Sequence, residues 1–141
     1  HVNGNFRVLG KYEAGATFSG TDRLSMAVAP KAIAWISTQP NELILGEGDR
    51  LNNAGFFEAC GDSLTIIQLT VSDEERERRY KERGSDQSEK FIQTTRTKCA
   101  NIVEKFGDQQ TLFGEEKGCI VEMRHETPAD TQEIVNFILS C

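Results

Sequence analysis

Four short apolar runs, each followed by a helical pattern, constrain this chain more than any other feature. Phe6-Arg7-Val8-Leu9-Gly10-Lys11-Tyr12 reads as a first strand, Leu43-Ile44-Leu45 as a second, Leu64 to Val71 as a third and Gly118 to Met123 as a fourth. Ser25 to Ser37 reads as a helix with Met26, Ala29, Ile33 and Ile36 near one face. Its Pro30 fits only a first turn, so the helix is expected to begin near Ala29. Asn52 to Cys60 suggests a short helix carrying Phe56 and Phe57 inward. Ser72-Asp73-Glu74-Glu75 is a capping box, with the Ser72 side chain capping a charged helix to Arg83 and Glu75 reaching back. Glu89 to Phe106 places Ile92, Thr95, Cys99, Ile102, Val103 and Phe106 on one stripe. Thr127-Pro128 starts a last helix, with Ile134, Phe137, Ile138 and Cys141 as its apolar stripe. Strands alternating with helices predict an α/β fold: a parallel sheet with helices on both faces and right-handed crossovers.

In such sheets ligands sit beyond the carboxyl ends of the strands. The second strand ends there in Gly46-Glu47-Gly48-Asp49-Arg50-Leu51, two acids and an arginine set among glycines. Glu47 or Asp49 could orient a metal ion or accept a proton, and Arg50 could clamp a phosphate. Thr21-Asp22-Arg23-Leu24 echoes that acid–arginine pair near the start of a helix, where Thr21 or Asp22 could equally be a cap. On the charged helix Arg76, Arg79 and Arg83 share a face by i, i+3, i+7 spacing. An anion would offset that row of like charge, and a solvated face supported by Glu75–Arg79 and Arg78–Glu82 pairs is the plainer alternative. Arg96-Thr97-Lys98 places two more cations on the long helix, after a Gly84-Ser85-Asp86-Gln87 segment expected to be mobile.

With 141 residues the chain is read as a single domain over residues 1–141. A net charge of −6 argues against a surface devoted to gripping nucleic acid. No apolar run reaches the roughly 20 residues of a membrane span, so no membrane partner is expected. Cys60, Cys99, Cys119 and Cys141 form no CxxC pair, and with only His1 and His125 beside them a structural zinc site is not expected. Reduced thiols in a cytoplasmic protein are the default.

Together these segments resemble the P-loop nucleoside and nucleotide kinases, the thymidylate-kinase-like group in particular, over nearly the whole chain. Asp49-Arg50 at a strand end matches their Asp-Arg motif. Val71-Ser72 through Arg83-Gly84-Ser85 resembles the strand, paired arginines and lid, and Val121 through Thr127 the final strand and turn beside the adenine. The resemblance implies ATP as phosphoryl donor with magnesium, and a nucleoside, nucleotide or modified base in nucleic acid as acceptor. It implies Asp49, with Glu47 in reserve, as base or magnesium orienter. Arg50, Asp22 and Arg23 would be acceptor-binding residues, and Arg79, Arg83 and Arg96 would neutralise the transferred phosphate.

One departure is large. The phosphate-cradling GxxxxGK[ST] loop does not occur; Gly10-Lys11 is followed by Tyr12 and has no glycine five residues before it. Phe6–Tyr12 then corresponds to the family's second strand, and the family's first strand and P-loop are expected to be absent from this chain. The start at His1 rather than Met fits an N-terminally truncated fragment. That first strand lies in mid-sheet in such kinases, so its loss would leave an apolar slot. A domain with another sheet order and no ATP site is the other explanation. A non-catalytic α/β module that binds a nucleotide or a partner protein is the rival function.

Overall fold

The computed structural model describes residues 6–15, 19–39, 42–85, 87–107 and 119–140. Gly118, expected to open the last strand, lies outside the described residues, as do Pro40, Asn41, Asp86 and Cys141. The chain divides into two compact units, His1–Gly61 and Asp62–Cys141.

The first unit pairs β1 (Phe6–Leu9) with β2 (Leu43–Gly46) in parallel, Phe6 opposite Leu43 and Leu9 opposite Gly46. Side chains alternate across a strand. Leu9 therefore points to the core and the Arg7 guanidinium lies 5.8 Å from the Trp35 ring centre. Phe6 and Val8, on the other face, are about half exposed (53% and 48%).

Between the strands runs α1 (Ala29–Ile36), which begins where Pro30 permits. After β2 comes α2 (Ala54–Cys60), whose Asn53 side chain accepts a 2.8 Å hydrogen bond from the Phe56 N–H. That bond satisfies one of the orphan donors of the first turn. Ala32, Leu51 and Phe56 are buried together, with Leu9, Val28, Ala29, Ile33, Ile36, Phe57 and Cys60 packed around them. Burying a side chain the size of Phe56 contributes about 1.5–3 kcal/mol. Leu51 belongs to this core and is the anchor that follows Asp49 and Arg50.

The second unit pairs β3 (Thr65–Thr70) with β4 (Cys119–Arg124), again in parallel and in register from Thr65–Cys119 to Thr70–Arg124. Three helices accompany them: α3 (Asp73–Glu82), α4 (Glu89–Gly107) and α5 (Pro128–Ser140). Helices α4 and α5 both pack on β4, and Ile102 and Ile134 are their buried residues. The Thr127 hydroxyl accepts the Asp130 N–H at 3.2 Å, so Thr127 is the cap and Pro128 the first helical residue, as expected.

Both strand pairs of the described residues are parallel and their strands alternate with helices, which makes the fold α/β; an isolated antiparallel bridge joins Lys11 to Gly20. The fold is distributed over two two-stranded sheets.

One local expectation needs correcting. The Ser72 side chain does cap α3, accepting the Glu75 N–H at 3.4 Å, but Glu75 does not reach back. Its carboxylate is drawn to Arg78 and Arg79, and the Ser72 N–H donates instead to Glu126 Oε1 at 2.6 Å. Two charged partners outcompete one neutral amide for the same carboxylate.

Candidate active site

Beyond β2 the chain is held by the Thr21–Arg23 turn of the same unit. Thr21, fully buried, donates from Oγ1 to the Glu47 carbonyl at 2.5 Å and from its backbone N–H to the same oxygen at 3.1 Å. The Asp49 N–H donates to Asp22 Oδ1 at 2.6 Å. Thr21 and Asp22 therefore act as a staple across the Glu47–Asp49 backbone. Gly48 sits between the two attachment points with φ 107°, a conformation disfavoured for any residue with a side chain. A Cβ there would lie 2.7 Å from Thr21 Oγ1 and 2.9 Å from Asp22 Oδ1. Glycine is what allows the staple to close.

The two acids are held differently. The Tyr12 hydroxyl donates to Glu47 Oε1 at 3.3 Å and to the Leu9 carbonyl at 3.4 Å. Burial, and then the neighbouring Glu47 charge, push the Tyr12 phenol above its ordinary pKa, so it stays a donor. Asp49 is fixed through its backbone N–H and, like Glu47, is exposed.

Arg50 is partly buried, and its Nε is buried with no hydrogen-bond partner. An unpaired buried donor costs about 1–3 kcal/mol, more when charged. An anion at Arg50 would offset that cost. Arg23, by contrast, is paired with Glu13 at 2.6 Å.

The structure brings Asp22, on the Thr21–Arg23 turn, against the Glu47–Asp49 turn of the first unit, with Arg50 following directly. It assigns Asp22 a role in holding that turn. Thr21, which the sequence offered with Asp22 only as an alternative cap, is the residue whose importance was missed; its burial and its bond to Glu47 reveal it. Among the described residues no group of three His, Cys, Asp or Glu side chains could hold a metal ion. A magnesium ion bound with a nucleotide needs only one or two carboxylates, its remaining positions being water and phosphate, and Asp49 fits that requirement.

Arg79, Arg83 and Arg96 belong to the second unit. Arg79 donates to Glu75 Oε1 and to the His125 carbonyl, both at 2.7 Å, tying α3 to the turn after β4. Arg83 donates to the Arg79 carbonyl at 3.3 Å and lies 5.7 Å from the Tyr80 ring centre. Arg96 meets Asp73, which also receives Arg76. The pairs Glu75–Arg79 and Arg78–Glu82 form as the spacing predicted. Hydrogen bonds from Arg78 and Arg79 lower the Glu75 pKa to about 2.

The model of the P-loop Nucleotide Kinase3 family matches residues 7–140, nearly the whole chain. This chain belongs to that family. Searches of the curated proteins and of the solved structures returned no match. Membership in the P-loop Nucleotide Kinase3 family points to phosphotransfer chemistry on nucleotides, with ATP and magnesium as the family's general requirements. No described helix is long and apolar enough to cross a membrane.

Proposed function

We propose that this P-loop Nucleotide Kinase3 protein transfers a phosphoryl group from ATP to a hydroxyl or phosphate of a nucleoside, a nucleotide or a modified base in nucleic acid. The observation that carries the reading is the buried, unpartnered Arg50 Nε directly after the stapled Asp49. Such transfer depends mostly on positioning and charge neutralisation, so rigidly held cations and one oriented carboxylate are the parts it needs.

Asp49 accepts the acceptor's proton or orients magnesium, with Glu47 as the neighbouring acid. Magnesium, when bound with ATP, supplies charge neutralisation at the phosphates. Arg50 offers a planar donor set to the acceptor's phosphate or sugar oxygens, and Arg23 a second cation once it leaves Glu13. Arg83, which the described contacts leave with only a carbonyl to bond, is the readiest of the second unit's three arginines to meet a phosphate. Arg79 and Arg96 must exchange an acid or a carbonyl to do the same. The nucleotide's triphosphate needs a backbone cradle that these 141 residues do not contain as a GxxxxGK[ST] motif. A segment outside them is the proposed source.

The test is transfer of label from γ-labelled ATP with magnesium, in the full-length protein, to a panel of nucleosides, nucleoside monophosphates and DNA. Label appearing on one acceptor class, with the acceptor KM raised in Arg50→Gln, is expected. Labelled product in no acceptor, with nucleotide still bound, would instead support the non-catalytic binding module.

A further inference from the structure

The ion pairs of the second unit are unevenly distributed. Arg78 lies between two acids, Glu75 and Glu82. Arg79 is closed off by Glu75 and by backbone carbonyls. At the start of α3 the ratio inverts: Arg76 from α3 and Arg96 from α4 both end on one oxygen, Oδ1 of Asp73. Each guanidinium carries five N–H donors, so two of them on a single oxygen leave most donors unused and one positive charge in excess.

The node is open, with the Asp73 side chain 64% and the Arg96 side chain 51% exposed, while Arg76 is held at 20%. Ion pairs this exposed are weak and readily exchanged. A phosphate presents three oxygens and more charge than a carboxylate, which suits two guanidinium forks better than one carboxylate oxygen does. The amide dipoles of α3's first turn favour an anion at the same place, although Glu74 and Glu75 on that turn oppose one.

We propose that Arg76 and Arg96 form a phosphate-binding pair which Asp73 occupies as an internal counter-ion and yields to a polyphosphate. This rests on the phosphoryl-transfer reading only in taking the polyphosphate to be that of a nucleotide. Asp73 is thereby a positioning residue: it keeps two arginines from different helices together and sets a threshold that a ligand must exceed. The hydrogen bonds from Arg76 and Arg96 hold its carboxyl below the ordinary carboxylate range, so it remains a competing anion at neutral pH.

The proposal and a purely structural ion pair differ in sign. Inorganic pyrophosphate is titrated into the chain and its Asp73→Asn variant at low salt, with binding followed by calorimetry and folding by circular dichroism. Removing the competing anion should tighten pyrophosphate binding about twofold or more, the equilibrium equivalent of two exposed ion pairs given up. Arg76→Gln or Arg96→Gln added to Asp73→Asn should abolish that gain. Unchanged or weakened binding in a folded Asp73→Asn variant overturns the proposal. If that variant does not fold, the Arg76→Gln/Arg96→Gln double variant decides: lost pyrophosphate binding supports the pair, and retained affinity overturns it. Pyrophosphate binding involves no turnover, so a chain that transfers no phosphate can still show the Asp73 effect, and the two readings fail separately.

Discussion

The two units solve the same problem, holding charged side chains at fixed places, by different means. In the first, the Glu47–Asp49 turn is fixed through its backbone, by a buried hydroxyl, two main-chain donors and a glycine that lets them approach. In the second, the arginines are fixed through their own charged ends, by Asp73, Glu75, Glu82 and the carbonyls after β4. A backbone staple fixes where the chain carries its acid without using the carboxylate as the anchor. A side-chain ion pair sets position too, yet the incoming ligand must displace it. The first arrangement suits a residue that must react, and the second suits residues that need only respond to an arriving anion.

If the comparison is right, the first unit breaks at small backbone changes that the second would tolerate. The largest effect is expected at Gly48. An alanine there adopts a strained φ and meets Thr21 and Asp22 at 2.7 and 2.9 Å, so Gly48→Ala should cost about 2–5 kcal/mol, positive-φ strain and overpacking each contributing. Chemical denaturation measures it, and a loss under 1 kcal/mol would show that the staple is slack. Thr21→Val keeps the shape but removes the buried hydroxyl bond to the Glu47 carbonyl. It should cost about 1–2 kcal/mol, because the Thr21 N–H still serves that oxygen.

Ser72→Ala removes the α3 cap and should cost about 0.5–2 kcal/mol. Its effect should fall at the lower end, since the Ser72 N–H keeps its bond to Glu126. Circular dichroism on heating reads that difference.

The second unit should in turn be the acid-sensitive one. The folded Glu75 carboxyl, at about 2, lies below its ordinary 4.5. Its contribution is therefore complete above about 4.5 and is lost as pH falls from there toward 2. Hydrogen bonds from Arg124 and Ser72 lower Glu126, and those from the Glu126 and Thr127 amides lower Asp130, in the same direction. Amide exchange measured at pH 5 and pH 3 should show protection falling in α3 and in the turn before α5, and Glu75→Gln should remove part of that pH dependence. Equal protection at both values would contradict an ion-pair origin for the order there.

Most of the fold was legible because its signals are local. Pro30 placed the start of α1, Ser72 and Thr127 announced their helices, and the apolar stripe of α4 gave its inward face. The acids and arginine after β2 were legible as a cluster, since an apolar strand ending in charge is an arrangement that periodicity exposes. What the sequence hid depended on partners distant along the chain. Glu126, 54 residues from Ser72, displaced Glu75 from the expected capping box. Thr21 looked like a cap until its burial against Glu47, 26 residues away, made it a staple. Arg76 and Arg96 could not be paired before α3 and α4 were placed. A helical-face argument finds neighbours within one helix and none across two.

The central claim is that Asp49 serves chemistry, its position being secured by its backbone. Asp49→Asn, with the melting temperature and phosphoryl-transfer turnover measured on the same preparation, tests it most directly. The account predicts an unchanged melting temperature and a loss of turnover of about 10²–10⁴-fold, the range of a general acid–base contribution. A lowered melting temperature with near-normal turnover per folded molecule would contradict it and make Asp49 a structural turn residue.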